Sequence, residues 1–264
     1  MMRLPRSLLV FHALFATFML APLVVVMLVA FTDKGYISLP FGGASLRWFA
    51  AILDHQDFID GFYRSVSLAA SSATIAVVLG LPAGMAIAWH RFKGRDTLQS
   101  LLLSPLMVPN IVLGIAMLRF LSQIGATGTM TGLILAHAVV ILPYVLRLVV
   151  AAATGFDRNV AQAAESLGAS PWTVFARVEL PLILPGIAGG WLLAVITSFD
   201  ELTVSVFVAS PSTQTLPVKL YAYITNTIDP LLASISTVLI VLTLVLMLVL
   251  ERFYGLDRVF GSKS

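Results

Sequence analysis

Six apolar stretches, at residues 8–31, 62–89, 98–122, 129–153, 182–209 and 232–250, leave this chain few ways to fold. Each reaches the ~20 mostly apolar residues that a helix needs to cross the hydrocarbon core of a bilayer. Within lipid every backbone polar group must be satisfied inside the segment, so stretches of this length are read as helices. Charged residues make up 11% of the chain, whereas a soluble domain carries about a quarter. The expectation is an all-α membrane protein with six transmembrane helices in one transmembrane domain over 1–264. Arg3 and Arg6 precede the first stretch, as they would in a signal peptide. Its apolar run is too long for one and no small-x-small site closes it, so it is read as a retained helix.

Orientation follows from Lys and Arg, which favour cytoplasmic loops. With the N-terminus inside, eleven of the sixteen fall on the inner side: Arg3, Arg6, Arg91, Lys93, Arg95, Arg147, Arg158, Arg177, Arg252, Arg258 and Lys263. Lys34, Arg47, Arg64, Arg119 and Lys219 fall outside. Six spans then put both termini in the cytoplasm. In the outer segment 32–60, Leu46, Trp48, Phe49, Ile52 and Leu53 recur at helical spacing, ahead of Asp54, Asp57 and Asp60. They predict a short helix at the outer interface with Trp48 at headgroup level. The inner loop His90–Asp96 and the outer connection near 123–128, with Gly125 and Gly128, are short. Glu251, Arg252, Phe253 and Tyr254 read as an anchor at the inner face.

The inner loop 154–181 carries the most information. Asp157 is suited to cap a helix over 157–167, and Gly168 to end it in the left-handed conformation. Ser170 followed by Pro171 then starts a second short helix, Ser as N-cap and Pro at the first position. Pro181 and Pro185 punctuate the start of the fifth span. Ala161, Ala163 and Ala164 give the first helix a small-residue face that another surface can approach closely.

This segment resembles the cytoplasmic loop of ABC importer permeases, the inner-membrane components of binding-protein-dependent transport. That family shows Glu-Ala-Ala, three residues, Gly, nine residues, then Ile-x-Leu-Pro. Here Ala163 and Ala164 match, Gly168 stands at the right place, Val178 replaces Ile, and Leu180-Pro181 match. Gln162 stands where the family has Glu; it keeps a hydrogen bond but not the charge. The resemblance extends over nearly the whole chain. Ser45-Leu46-Arg47-Trp48, Ser198-Phe199-Asp200-Glu201 and Leu216-Pro217-Val218-Lys219-Leu220-Tyr221 resemble the PotC-like family of spermidine/putrescine permeases.

The resemblance implies a type I ABC importer permease fold: an N-terminal helix over 8–31, a core of five helices over about 62–250, and a coupling loop at 154–181. It implies a bacterial inner-membrane location. Gln162, Ala163, Ala164, Glu165, Gly168, Leu180 and Pro181 would couple to the ATPase. The implied partners are ABC ATPase subunits that bind the ATP, a second similar permease, a periplasmic solute-binding protein and the lipid bilayer. No nucleic acid and no cofactor of the chain's own are implied.

Asp200 and Glu201 are placed in the outer half of span five, about 100° apart on a continuous helix and able to line one cavity. Acids at membrane depth are costly, so a solute path or an internal pairing with Arg119, Arg64 or Lys219 is expected. Carboxylates in a partly dewatered cavity attract ammonium groups, and the polyamine permeases hold an acidic pair here. Ser198, Asp200, Glu201, Asn110 and Trp48 are therefore the expected substrate-pathway residues. Pro105 and Pro109 are expected to kink or unwind span three beside Asn110. The resemblance would place Asp at that position; Asn removes the charge and leaves room for a smaller or less charged solute. His137 is read as a satisfied buried histidine, since no ligand-spaced partner accompanies it. Gly80, Pro82, Gly84, Gly186, Gly189 and Gly190 are read as permitting close helix packing.

The sequence contains no cysteine and no G-x-x-x-x-G-K-[ST] loop, so it offers neither thiol chemistry nor a nucleotide cradle. Nor does it show an enzyme motif or a catalytic acid pair on soluble elements. The reading is the permease subunit of an ATP-driven importer for a small solute, a polyamine or similar organic cation. The alternatives are an ion-coupled carrier or cation channel using the intramembrane acids, and an importer of an amino-acid derivative or opine.

Overall fold

The computed structural model describes residues 6–40 and 42–254. Arg3, Arg258 and Lys263 of the charge reading lie outside these. All regular structure among the described residues is helical. In chain order the helices are α1 (Arg6–Val29), α2 (Arg47–Asp54), α3 (Gln56–Trp89), α4 (Arg95–Leu103), α5 (Asn110–Gln123), α6 (Met130–Thr154), α7 (Arg158–Ser166), α8 (Pro171–Val174), α9 (Leu180–Phe199), α10 (Thr203–Val208), α11 (Leu216–Ile224) and α12 (Leu231–Tyr254). A 3-10 turn, Ser104–Met107, follows α4, and a π turn, Phe175–Glu179, joins α8 to α9.

Four helical runs are long and apolar enough to cross a membrane: Ser7–Val29, Gln56–Trp89, Met130–Thr154 and Pro171–Phe199. A fifth is assembled from two pieces, Arg95–Met107 and Asn110–Gln123, that meet at 107°. Within α12 the apolar stretch Leu231–Val245 is shorter. Span three is thus not the single helix 98–122. Pro105 and Pro109 each remove a backbone donor, and the chain turns sharply between them and Asn110. Span two begins earlier than 62: α3 starts at Gln56, so Asp57 and Asp60 ride on its first turns.

The chain forms two compact units, Met1–Ile59 with Leu220–Val249, and Asp60–Lys219 with Leu250–Ser264. In the first, α1 leaves its apolar side chains uncovered; Phe18 is 70% exposed. The expected short outer helix is α2. Its Trp48 is half-buried, donates from Nε1 to the Lys34 carbonyl at 3.1 Å, and carries the Arg47 guanidinium 4.9 Å above its ring. Along α12 the helix continues to Tyr254 and the Arg252 side chain is exposed. The side chains of Glu251, Phe253 and Tyr254, the rest of the expected anchor, lie outside the described residues.

In the second unit α6 is the central post. Leu133, Ala136, Ile141, Val145 and Val149 are buried on it and pack with Ile183, Ile187 and Ala194 of α9, Leu68, Ala73 and Ala76 of α3, and Val204 and Val208 of α10. Small residues let these helices approach, as in membrane packing generally. A Cβ added at Gly186 of α9 would stand 2.3 Å from the Ala152 Cβ, and one at Gly84 of α3 would stand 2.6 Å from Val149 Cγ1. Ala152 has no flexible end to move aside. Gly186→Val is therefore expected to force α6 and α9 apart and to cost about 1–3 kcal/mol, read as a lower melting temperature of the purified complex. Gly155→Ala, whose nearest neighbour would be 3.5 Å away, serves as the neutral control.

Candidate functional site

The loop between α6 and α9 folds through local chemistry. The Asp157 carboxylate accepts from the Asn159 N–H at 3.0 Å and caps α7. At its other end the Gly168 N–H donates to the Glu165 carbonyl at 2.9 Å and the Ala169 N–H to the Ala164 carbonyl at 3.1 Å. Gly168 holds φ +87°, a conformation that costs about 1–2 kcal/mol for a residue with a Cβ. Ser170 Oγ then accepts from the Thr173 N–H, with Pro171 at the first helical position. The second helix is not a separate short piece, however. It runs through the π turn into α9, so Pro171–Phe199 is one helical run. Pro181 lies inside this run, two residues after the π turn, and leaves a carbonyl of the preceding turn without its helical N–H. Gln162 and Ala163 are exposed and Ala164 is half-buried, but Ala161 is fully buried within this chain. The small-residue face is therefore split between internal packing and the outside. The outward surface also includes Leu167, 89% exposed, and Trp172, 73% exposed.

The second feature is a break. Helix α9 ends at Phe199 and α10 starts at Thr203, so Asp200 and Glu201 stand between two helices rather than on one. Asp200 is exposed and Glu201 is buried. The Glu201 Oε1 accepts from the Val204 N–H at 2.9 Å, capping α10. Neither acid forms an ion pair with Arg64 or Arg119 among the described residues. Arg64 instead faces Asp60 at 3.9 Å. Beneath the break, His137 of α6 is fully buried. Its Nδ1 lies 2.8 Å from Ser198 Oγ, and its Nε2 2.8 Å from Ser205 Oγ. Ser205 Oγ also lies within hydrogen-bond reach, 2.8 Å, of the Glu201 carbonyl. One imidazole thus ties the helix before the break to the helix after it.

Residues 76–256 match the family model "Binding-protein-dependent transport system inner membrane component". The chain belongs to this family. It is therefore a permease subunit of an ABC importer, in the bacterial inner membrane. It is 29% identical over 241 residues to the spermidine/putrescine transport system permease protein PotC of Escherichia coli (strain K12), covering 91% of this chain and 90% of that one. Against PotC of Haemophilus influenzae the identity is 31% over 225 residues, covering 85% and 87%. Among solved structures, a bacterial ABC transporter involved in the import of the acidic polysaccharide alginate overlays with a TM-score of 0.75 at 15% identity, over 96% of this chain and 100% of that one. The fold is that of ABC importer permeases.

Within the permease, Ser198 meets His137 directly, Glu201 is linked to it only through its backbone carbonyl and Ser205, and Asp200 is exposed. Asn110 is exposed at the first position of α5, where the broken third span turns. Its helix packs on α10, with Gly114 against the Phe207 ring. Trp48 belongs to the other unit. Ser205 and Glu179 carry no mark in the sequence, and nothing in it sets the exposed Leu167 and Trp172 apart. Ser198 and Ser205 lie seven residues apart, a spacing that would have signalled one helix face; the break between them hides why both meet His137.

Proposed function

We propose that this permease forms one half of the translocation pathway of an importer for a small organic cation, with polyamines such as putrescine or spermidine as the leading class. The chain crosses the membrane six times in this reading, with both termini cytoplasmic. A second, similar permease completes the pathway, ABC ATPase subunits bind the ATP, and a periplasmic solute-binding protein delivers the solute. The loop around Gln162–Gly168 moves with the ATPase, and the permease pair alternates between inward- and outward-facing states. Solute and ATP drive the cycle through their different affinities for the two.

The observation that carries the solute class is Glu201: a buried acid at a helix break beside Asp200, in a chain similar to spermidine/putrescine permeases. A buried acid that pairs with neither Arg64 nor Arg119 favours a cation brought by the solute. Asn110, where the resemblance puts Asp, lowers the charge of the path and favours putrescine over the more highly charged spermidine. The same residue supports a second reading, a solute with one ammonium group such as an amino-acid derivative or opine.

The test is uptake in proteoliposomes holding this chain with its sister permease, ATPase and binding protein. ATP-dependent uptake of labelled putrescine, faster than that of spermidine, is the expected result. ATP-dependent uptake of another solute alone would replace the polyamine reading, and uptake without any ATPase would overturn the importer mechanism.

A further inference from the structure

A cleft of about 470 Å³ opens beside the coupling loop, away from Asp200 and Glu201. Trp89 and His90 from the end of α3, Arg158 and Glu165 of α7, and Phe175 and Glu179 of the π turn line it. Glu179 is only 9% exposed. Among the described residues its carboxylate has no hydrogen bond and no ion pair. A carboxylate so enclosed, facing the cleft without a partner, favours a cation brought to it. The basic group best placed to do so is engaged elsewhere: the Arg158 guanidinium lies 4.9 Å over the Trp89 ring. The Trp89 N–H is also spent, on the Ala153 carbonyl at 2.8 Å. What remains open is the Glu179 carboxylate, a second acid in Glu165, and apolar wall from Phe175 and Met85, beside the Arg158 and His90 side chains.

We propose that this cleft binds an alkylammonium cation, with Glu179 as its counter-ion and the apolar wall against its methylenes. A guest of that chemistry has two sources: a free amine in the cytoplasm, or a lysine side chain of the ATPase subunit docked on α7. The assignment is independent of the transported solute, because it uses none of the residues at the helix break.

The experiment uses the whole importer complex in nanodiscs, with 5-fluorotryptophan in this chain and the Trp89 resonance assigned by its loss in Trp89→Phe. Putrescine is titrated while 19F NMR follows Trp89. A saturable shift that weakens at least tenfold in Glu179→Gln, survives in Glu179→Asp and is unchanged in Asp200→Asn assigns the free amine. No shift in the complex, with carbodiimide joining this chain to the ATPase in wild type but not in Glu179→Gln, assigns the lysine side chain. A shift of equal strength in Glu179→Gln, or neither shift nor cross-link, would overturn the proposal. Glu179→Asp keeps the test decisive should Glu179→Gln fail to assemble.

Discussion

Glu201→Ala is expected to lower ATP-driven uptake by about ten- to a hundredfold. The substitution removes the carboxylate that holds the Val204 N–H and leaves that donor without its partner. Hydrogen bonds to charged groups are worth about 1.5–3 kcal/mol, and about 1.4 kcal/mol corresponds to a factor of ten. Loss of structure and loss of charge are separated by Glu201→Gln, whose amide oxygen can still accept from Val204. If the acid serves a cationic solute, Glu201→Gln alone reduces uptake several-fold, and Asp200→Asn/Glu201→Gln nearly abolishes it, while the complex still assembles at wild-type yield. Uptake at the wild-type rate in Glu201→Gln would leave the residue a helix cap and nothing more. The measurement is initial uptake in proteoliposomes, with complex yield and melting temperature as controls.

The second large effect is expected at the loop between α6 and α9, where we place the ATPase contact. Leu167→Glu should reduce recovery of the ATPase with the permease by at least about tenfold and abolish ATP-dependent uptake. Leu167 and Trp172 are large, apolar and almost uncovered in the isolated chain. Burying a leucine side chain contributes about 1.5–3 kcal/mol, and truncated aromatic anchors at interfaces reach similar or larger values. A glutamate buried at the same place adds the cost of a dehydrated charge. The permease itself should fold normally, because the caps at Asp157 and Ser170 do not involve Leu167. Unchanged recovery of the ATPase with Leu167→Glu would move the docking surface elsewhere. Trp172→Ala is the milder companion variant.

The coupling loop could be read from sequence because its geometry is made by neighbours in the chain. Asp157 caps two residues on, Gly168 answers a backbone conformation, and Ser170-Pro171 starts a helix by themselves. The break in span three was legible for the same reason, through Pro105 and Pro109. The break at Asp200–Leu202 was not, for it holds neither proline nor glycine, and its two acids are equally compatible with a continuous helix lining a cavity. What holds it is His137, 61 residues before Ser198 and 68 before Ser205, and such partners are invisible to a local pattern. Ala161 shows the limit from the other side. Small residues suit an external docking face and an internal contact equally well, and only the fold distinguishes them.

The π turn at Phe175–Glu179 has a mechanical consequence. It carries one residue more per turn than an α-helix would use, and each residue of an α-helix is worth about 100° of winding. Helices α8 and α9 therefore share a continuous backbone but are out of phase with each other. Rewinding that turn to α would rotate one about the other without breaking the helix, so torque on the loop would reach the span as a twist about its axis.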